Sequence, residues 1–178
     1  MKEKWDPVSL LRHARHDWLN QLQLIKGNLA LDRTDRAKEI IENVVHEAKN
    51  EAKVSNLRMP KMAEFLLTYN WQQNKYRLDY EVIGDEQDLS SFDDTIYDWT
   101  KEFIGQLDKL IEPDGEPHLM ITIQLIHGRS RITYDFAGKI DMESCKALDS
   151  LNPLHNSITI VESYCQENEL LYILELGS

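Results

Sequence analysis

The chain has 178 residues, 42% of them hydrophobic and 29% charged, which is material for one compact domain plus a smaller one. A formal net charge of −11 argues against nucleic acid as a partner, because its phosphates would be repelled. No stretch resembles an apolar signal or a membrane span, and only Cys145 and Cys165 occur, which together predict a cytoplasmic protein, no membrane partner and two reduced thiols.

The first predicted element runs from Leu10 to Leu31 and reads as one amphipathic helix. At about 100° per residue, Leu11, Ala14, Trp18, Leu22, Ile25 and Leu29 fall in one apolar stripe. His16, Asn20, Gln23 and Gly27 form a second stripe on roughly the opposite side, so the imidazole should face water. Exposure of this kind serves metal ligation, or nucleophilic and proton-carrying chemistry near neutral pH, or nothing at all, as for an ordinary surface histidine. For a metal, the helix offers only His13, about 60° away, with no acid or thiolate at a suitable offset, so no metal site is expected. Gly27 costs roughly 1 kcal/mol in a helix interior, which a close approach by a neighbour would explain. Residues 1 to 31 hold five basic side chains (Lys2, Lys4, Arg12, Arg15, Lys26) against Glu3, Asp6 and Asp17, a net +2 that leaves −13 for the remainder.

A polar turn at residues 32–35 follows, with Thr34 or Asp35 available as a cap, and a second helix is predicted to about Leu57. Ala37, Ile41, Val44, Ala48 and Ala52 keep heptad-like spacing, and Ile40 and Val45 widen the stripe. Two helices joined along one seam leave much of each apolar stripe wet, whereas a closed helical core needs three or four members. A second copy supplies the missing two most simply. The expectation is therefore a homodimer in which two hairpins build a four-helix bundle with one His16 on each side. Pro60 ends the helical run, so the sequence divides into residues 1–59, a helical hairpin for dimerisation, and residues 60–178.

The second part mixes elements. Helices are predicted over 61–75 and from Ser90 to about Leu110, with a short one around 142–151. Strands are predicted over 78–84, 119–126, 131–136, 157–164 and 170–176, with hairpin turns at 127–130 and 166–168. This order gives an α+β chain whose C-terminal part is a two-layer α/β sandwich, its mixed and largely antiparallel sheet covered by helices on one face.

The run Arg15-His16-Asp17-Trp18-Leu19-Asn20-Gln21-Leu22-Gln23-Leu24-Ile25 resembles the phosphoacceptor box of sensor histidine kinases. With Lys26-Gly27-Asn28-Leu29 it is more similar still to the sporulation initiation phosphotransferase B family of the Bacillus phosphorelay. The resemblance implies that His16 takes a phosphoryl group from the aspartate of one response regulator and passes it to another. It also implies a dimer, response-regulator receiver domains as partners, and no cofactor of the chain's own, the Mg2+ being the receiver's. Receivers present carboxylate clusters, which the basic first segment would suit. Arg15, Asn20, Gln23, Lys26 and Gly27 are the expected receiver contacts, with Arg15 equally readable as a solvated cation. Asp17 either orients the imidazole or caps a neighbouring group. The attacking nitrogen is not fixed by sequence, the distal one being expected.

The second part resembles the ATP-binding domain of histidine kinases, with departures. The helix from Ser90 to Ile111 holds no asparagine for a nucleotide-bound magnesium. Asp135-Phe136-Ala137-Gly138-Lys139-Ile140 keeps an Asp and one Gly of the adenine loop but lacks the second glycine, and no Gly-rich lid follows. The resemblance therefore implies a degenerate kinase scaffold without autokinase activity. A regulator-binding module without chemistry and an ATP-dependent kinase fragment are the alternatives.

Overall fold

The computed structural model of the chain describes residues 6–112, 115–143, 145, 148, 151 and 157–177. Two compact units result, Met1–Glu51 and Ala52–Ser178. The first is a helical hairpin of α1 (Pro7–Ala30) and α2 (Thr34–Asn56), and the last turn of α2 belongs to the second unit. Helix α1 starts three residues earlier than its apolar periodicity predicts. Asp6 is the reason: its carboxylate accepts from the backbone N–H of Val8 at 2.8 Å and of Ser9 at 3.1 Å, and Pro7 occupies the first helical position, where no N–H is required. At the other end Asp32 takes the left-handed conformation (φ 56°), which reverses the chain within the expected turn. Helix α2 begins at Thr34, with Asp35 in its first turn, where a negative charge meets the positive end of the helix dipole.

The second unit contains α3 (Pro60–Thr68), a 3-10 turn (Tyr69–Trp71), β1 (Arg77–Ile83), a second 3-10 turn (Ser90–Phe92), α4 (Asp93–Leu110), β2 (His118–Gln124), β3 (Arg129–Ala137), β4 (Ile158–Gln166) and β5 (Glu169–Gly177). The strands form one sheet in the order β1-β2-β3-β5-β4, with β1 and β2 parallel and the other pairs antiparallel. This is the mixed sheet of an α+β fold. Alternation decides its faces: Ile132, Tyr134 and Phe136 of β3 lie inward beside Leu174, Tyr172 and Leu170 of β5, whereas Arg131 and Asp135 face out. Helix α4 covers the inner face with Ile96, Trp99, Phe103, Leu107 and Leu110, a helical repeat of buried positions. Trp99 stacks on Phe103 with ring centroids 5.3 Å apart, and both rings meet Tyr134 and Tyr172. The Tyr134 hydroxyl, buried there, exchanges a 2.6 Å hydrogen bond with Thr100.

Helix α3 has no cap of its own, since Met59 stands at its N-cap position. The buried carboxylate of Asp93, from the first turn of α4, accepts from the N–H groups of Lys61 and Met62 at 3.0 Å each and does the capping from another element. The free edge of β1 is closed by side chains. Asn70 pairs with both backbone groups of Leu78, and the Lys53 ammonium donates to the Val82 carbonyl at 2.9 Å.

Three expectations change here. The β2–β3 connection shifts two residues earlier than expected: β2 ends at Gln124, β3 begins at Arg129, and the register sets Gln124 opposite Arg131. The short helix expected at 142–151 lies largely outside the described residues, although Cys145, Leu148 and Leu151 are buried. Cys145 and Cys165 are not two thiols but a disulfide, because folding brings residues 20 apart in sequence to a Cα separation of 6.7 Å.

Candidate active site

Helix α1 lays out three arcs. Leu10, Ala14, Gln21, Ile25 and Asn28 are half-buried, as are Ile40, Val44 and Ala48 of α2, where Ala37 is fully buried. A second arc stays exposed although it is apolar: Leu11 at 67%, Trp18 at 52%, Leu22 at 56% and Leu29 at 51%, with Ile41 and Val45 exposed on α2. The single stripe read from the sequence is thus two, one met within the chain and one not.

His16 stands on the third arc, about 120° or more from the exposed apolar side chains of α1 by helical geometry. Its side chain is 72% exposed. Nδ1 lies 3.2 Å from the Asp17 carboxylate and 3.3 Å from the Asn20 amide nitrogen. These two neighbours ask for different tautomers, since the carboxylate requires Nδ1–H and the amide N–H requires a lone pair on Nδ1. The charged acceptor makes the stronger bond, so the proton sits on Nδ1 and Nε2 carries the lone pair. Among the described residues Nε2 has no hydrogen-bond partner. Asp17 therefore reaches the ring in spite of its adjacency in sequence.

Arg15, Asn20, Gln23, Lys26 and Gly27 are all exposed, and Asn20, Gln23 and Gly27 share the His16 arc. A Cβ added to Gly27 would meet nothing within 4 Å, so no packing inside the chain accounts for the glycine. Sequence reading overlooked Leu19 and Leu24, exposed at 51% and 57% on either flank of the His16 arc. Their signal was present: two leucines fall outside the apolar stripe. Farther along, Gln21 donates to the Glu47 carboxylate of α2 at 3.3 Å. Burial first, and then the negative charges of Glu47 and Asp17, push the Glu51 carboxyl above its ordinary range.

In the second unit, Gly138 follows β3 where an added Cβ would come within 2.7 Å of the Phe136 ring and 2.9 Å of Pro117. Packing against those groups explains this glycine without a ligand. Among the described residues no group of three or more His, Cys, Asp or Glu side chains is disposed to hold a metal ion. No helix among them is long and apolar enough to cross a membrane.

Comparison with known proteins gives the following matches. A blue-light-activated histidine kinase of Erythrobacter litoralis is similar at a TM-score of 0.47 and 10% identity, over 99% of this chain and 62% of that one. A bacterial phosphotransferase is similar at 0.43 and 9% identity, over 96% and 98% of the two chains. The sporulation initiation phosphotransferase B of Bacillus subtilis (strain 168) is 43% identical over 133 residues, 74% of this chain and 69% of that protein. The family model of the sensor kinase SpoOB-type alpha-helical domain matches residues 1–57, and that of sporulation initiation phosphotransferase B, C-terminal, matches residues 58–177. The chain belongs to the sporulation initiation phosphotransferase B family.

Proposed function

We propose that this protein is a phosphotransferase of a sporulation phosphorelay in which His16 takes a phosphoryl group from the aspartate of one response regulator and gives it to the aspartate of a second. The observation that carries the reading is the ring itself: exposed, with Nδ1 turned to Asp17 and Nε2 open to solvent. The Nε2 lone pair attacks the phosphorus of a docked aspartyl phosphate, the N–P bond forms, and the P–O bond to the aspartate breaks with its electron pair leaving on the carboxylate. The ring becomes cationic as it does so, and the Asp17 carboxylate beside Nδ1–H stabilises that charge. Reversal onto a second receiver regenerates neutral His16. Both receivers bring their own Mg2+, which neutralises charge on the phosphoryl oxygens.

Arg15, Asn20, Gln23 and Lys26 would meet the receiver, and bare Gly27 would let its backbone come close. The protein acts as a homodimer in this reading, two hairpins closing a four-helix bundle over the exposed apolar arc, and it works in the cytoplasm. The second unit, with Gly138 committed to packing, supports the bundle and does not bind nucleotide.

The test is transfer. Mixed with a receiver carrying labelled aspartyl phosphate, the protein should take label onto His16, and a second receiver should draw it off. His16→Ala should abolish transfer at unchanged stability, since exposed substitutions usually cost ~0.5 kcal/mol or less. Undiminished transfer in that variant, or label on another histidine, would leave a binding module without chemistry as the better reading.

A further inference from the structure

We propose that Cys145 and Cys165 form a reversible thiol–disulfide switch that fastens the edge strand β4 to the buried Cys145, eight residues after β3. Strand β4 is bonded on one side only, to β5, and that pairing breaks register between Ile160 and Glu162, where Val161 is 47% exposed. It is an edge strand of the sheet; on the opposite edge, β1 is closed by Asn70 and Lys53. Cys165 sits near the end of β4 across from Leu170, and its bond to Cys145 ties the strand covalently to a second element. Beyond Cys145, Leu148 and Leu151 are buried and the Tyr172 hydroxyl donates to the Leu148 carbonyl at 3.2 Å.

Access to the two sulfurs differs. Cys145 is 8% exposed, whereas Cys165 on the open edge is half-buried, so a small thiol reaches the bond from the β4 side. A low-molecular-weight thiolate attacks the Cys165 sulfur, the S–S bond breaks, and its electron pair leaves on Cys145, which takes up a proton. A second thiolate attacks the mixed disulfide, freeing Cys165 and leaving the small molecule as its own disulfide. Two electrons pass from two small thiols to the protein, and exchange with the small disulfide returns them. In the reducing compartment proposed above, a disulfide of this kind is transient and regulatory, not structural. None of this depends on the His16 chemistry.

The experiment equilibrates the full chain in mixtures of reduced and oxidised glutathione, alkylates it folded with iodoacetamide, weighs it intact, and follows amide exchange by mass spectrometry. At least one alkyl group, on Cys165 ahead of the more buried Cys145, should appear as the mixture becomes reducing, and the amides of β4 should then exchange about tenfold faster or more while those of β3 do not. Cys165→Ser and Cys145→Ser should each exchange in every mixture as the reduced chain does. Two alkyl groups at all ratios, none before denaturation, or β4 exchange indifferent to reduction would each overturn the switch.

Discussion

Replacing Leu22 by Glu places a carboxylate in the middle of the exposed apolar arc of α1. Six large side chains form the unmet surface, Leu11, Trp18, Leu22 and Leu29 of α1 with Ile41 and Val45 of α2, each about half exposed. Hiding the remaining half of such a side chain is worth about 1 kcal/mol, which two-fold symmetry raises to roughly 12 kcal/mol for the pair of hairpins. Association itself costs at least about 4 kcal/mol, leaving a net near the roughly 8 kcal/mol of a micromolar dimer. Leu22→Glu forfeits its own apolar term and buries an unpaired charge in each copy, a loss of roughly 6 kcal/mol or more, or about 10⁴ in affinity. Sedimentation velocity at about 10 μM should give a dimer for the parent and a monomer for the variant. Gln23→Glu, one residue on but on the His16 arc, should sediment like the parent. A parent that sediments as a fully folded monomer, or a Leu22→Glu protein that stays dimeric, would refute the use of this surface.

Asp17→Asn should slow phosphoryl transfer without abolishing it. An exposed 3.2 Å bond worth about 1 kcal/mol corresponds to a roughly fivefold lower rate, read in single-turnover transfer from a labelled receiver. Asp93→Ala removes the cap of α3 and strands two backbone donors, which should cost about 2–3 kcal/mol in urea unfolding; Asp93→Asn, which keeps one acceptor, should recover part of that. Burial works to raise the Asp79 carboxyl, but hydrogen bonds from His118 at 2.9 Å and Arg77 at 3.0 Å outweigh it and hold the group below its ordinary range. Its contribution is therefore present above the unfolded pKa and lost as pH falls through the folded one, so His118→Ala should shrink the stability lost below about pH 4 in melts across acid pH. Glu51 is shifted upward, so the unfolded chain ionises it first and stability falls as pH rises from the unfolded through the folded pKa. Glu51→Gln should consequently melt higher than the parent at neutral pH, with the gain gone below about pH 4.

The sheet and its helices were legible because apolar residues alternate along 119–123, 132–136 and 170–176 and recur every three or four positions from Ile96 to Leu110. The His16 arc was legible for the same reason, a polar stripe set against an apolar one. What escaped depended on distance through space. Met59 carries no sign that α3 will be capped, because the capping carboxylate lies more than thirty residues farther along the chain. Periodicity marks Ala14 and Leu22 alike as apolar, yet the hairpin half-buries the first and leaves the second 56% exposed, a division set by where α2 happens to lie. The cysteines followed a rule about compartments, and compartment says nothing about a Cα separation of 6.7 Å. Asp17 was left between two roles, since neighbours in a helix diverge by about 100°, and only the folded geometry shows its side chain closing that angle to reach the ring at the surface.

In the proposed reading one helix serves two purposes. The carboxylate that favours the Nδ1–H tautomer of His16 comes from the next residue of the same helix, so the ring needs no second element to be oriented. The side chains left for a second copy lie on the far side, and covering them cannot cover Nε2. The proposed assembly and phosphoryl transfer should therefore be separable: a charge at Leu22 would disturb the first while the Asp17 contact to the ring persists wherever α1 stays helical. The exposed leucines beside His16 complete the division. Leu19 and Leu24 flank the arc that the imidazole shares with Asn20 and Gln23, so a partner settling on the ring would bury them, and apolar area beside the ring would exclude the water that could otherwise hydrolyse a transferred group.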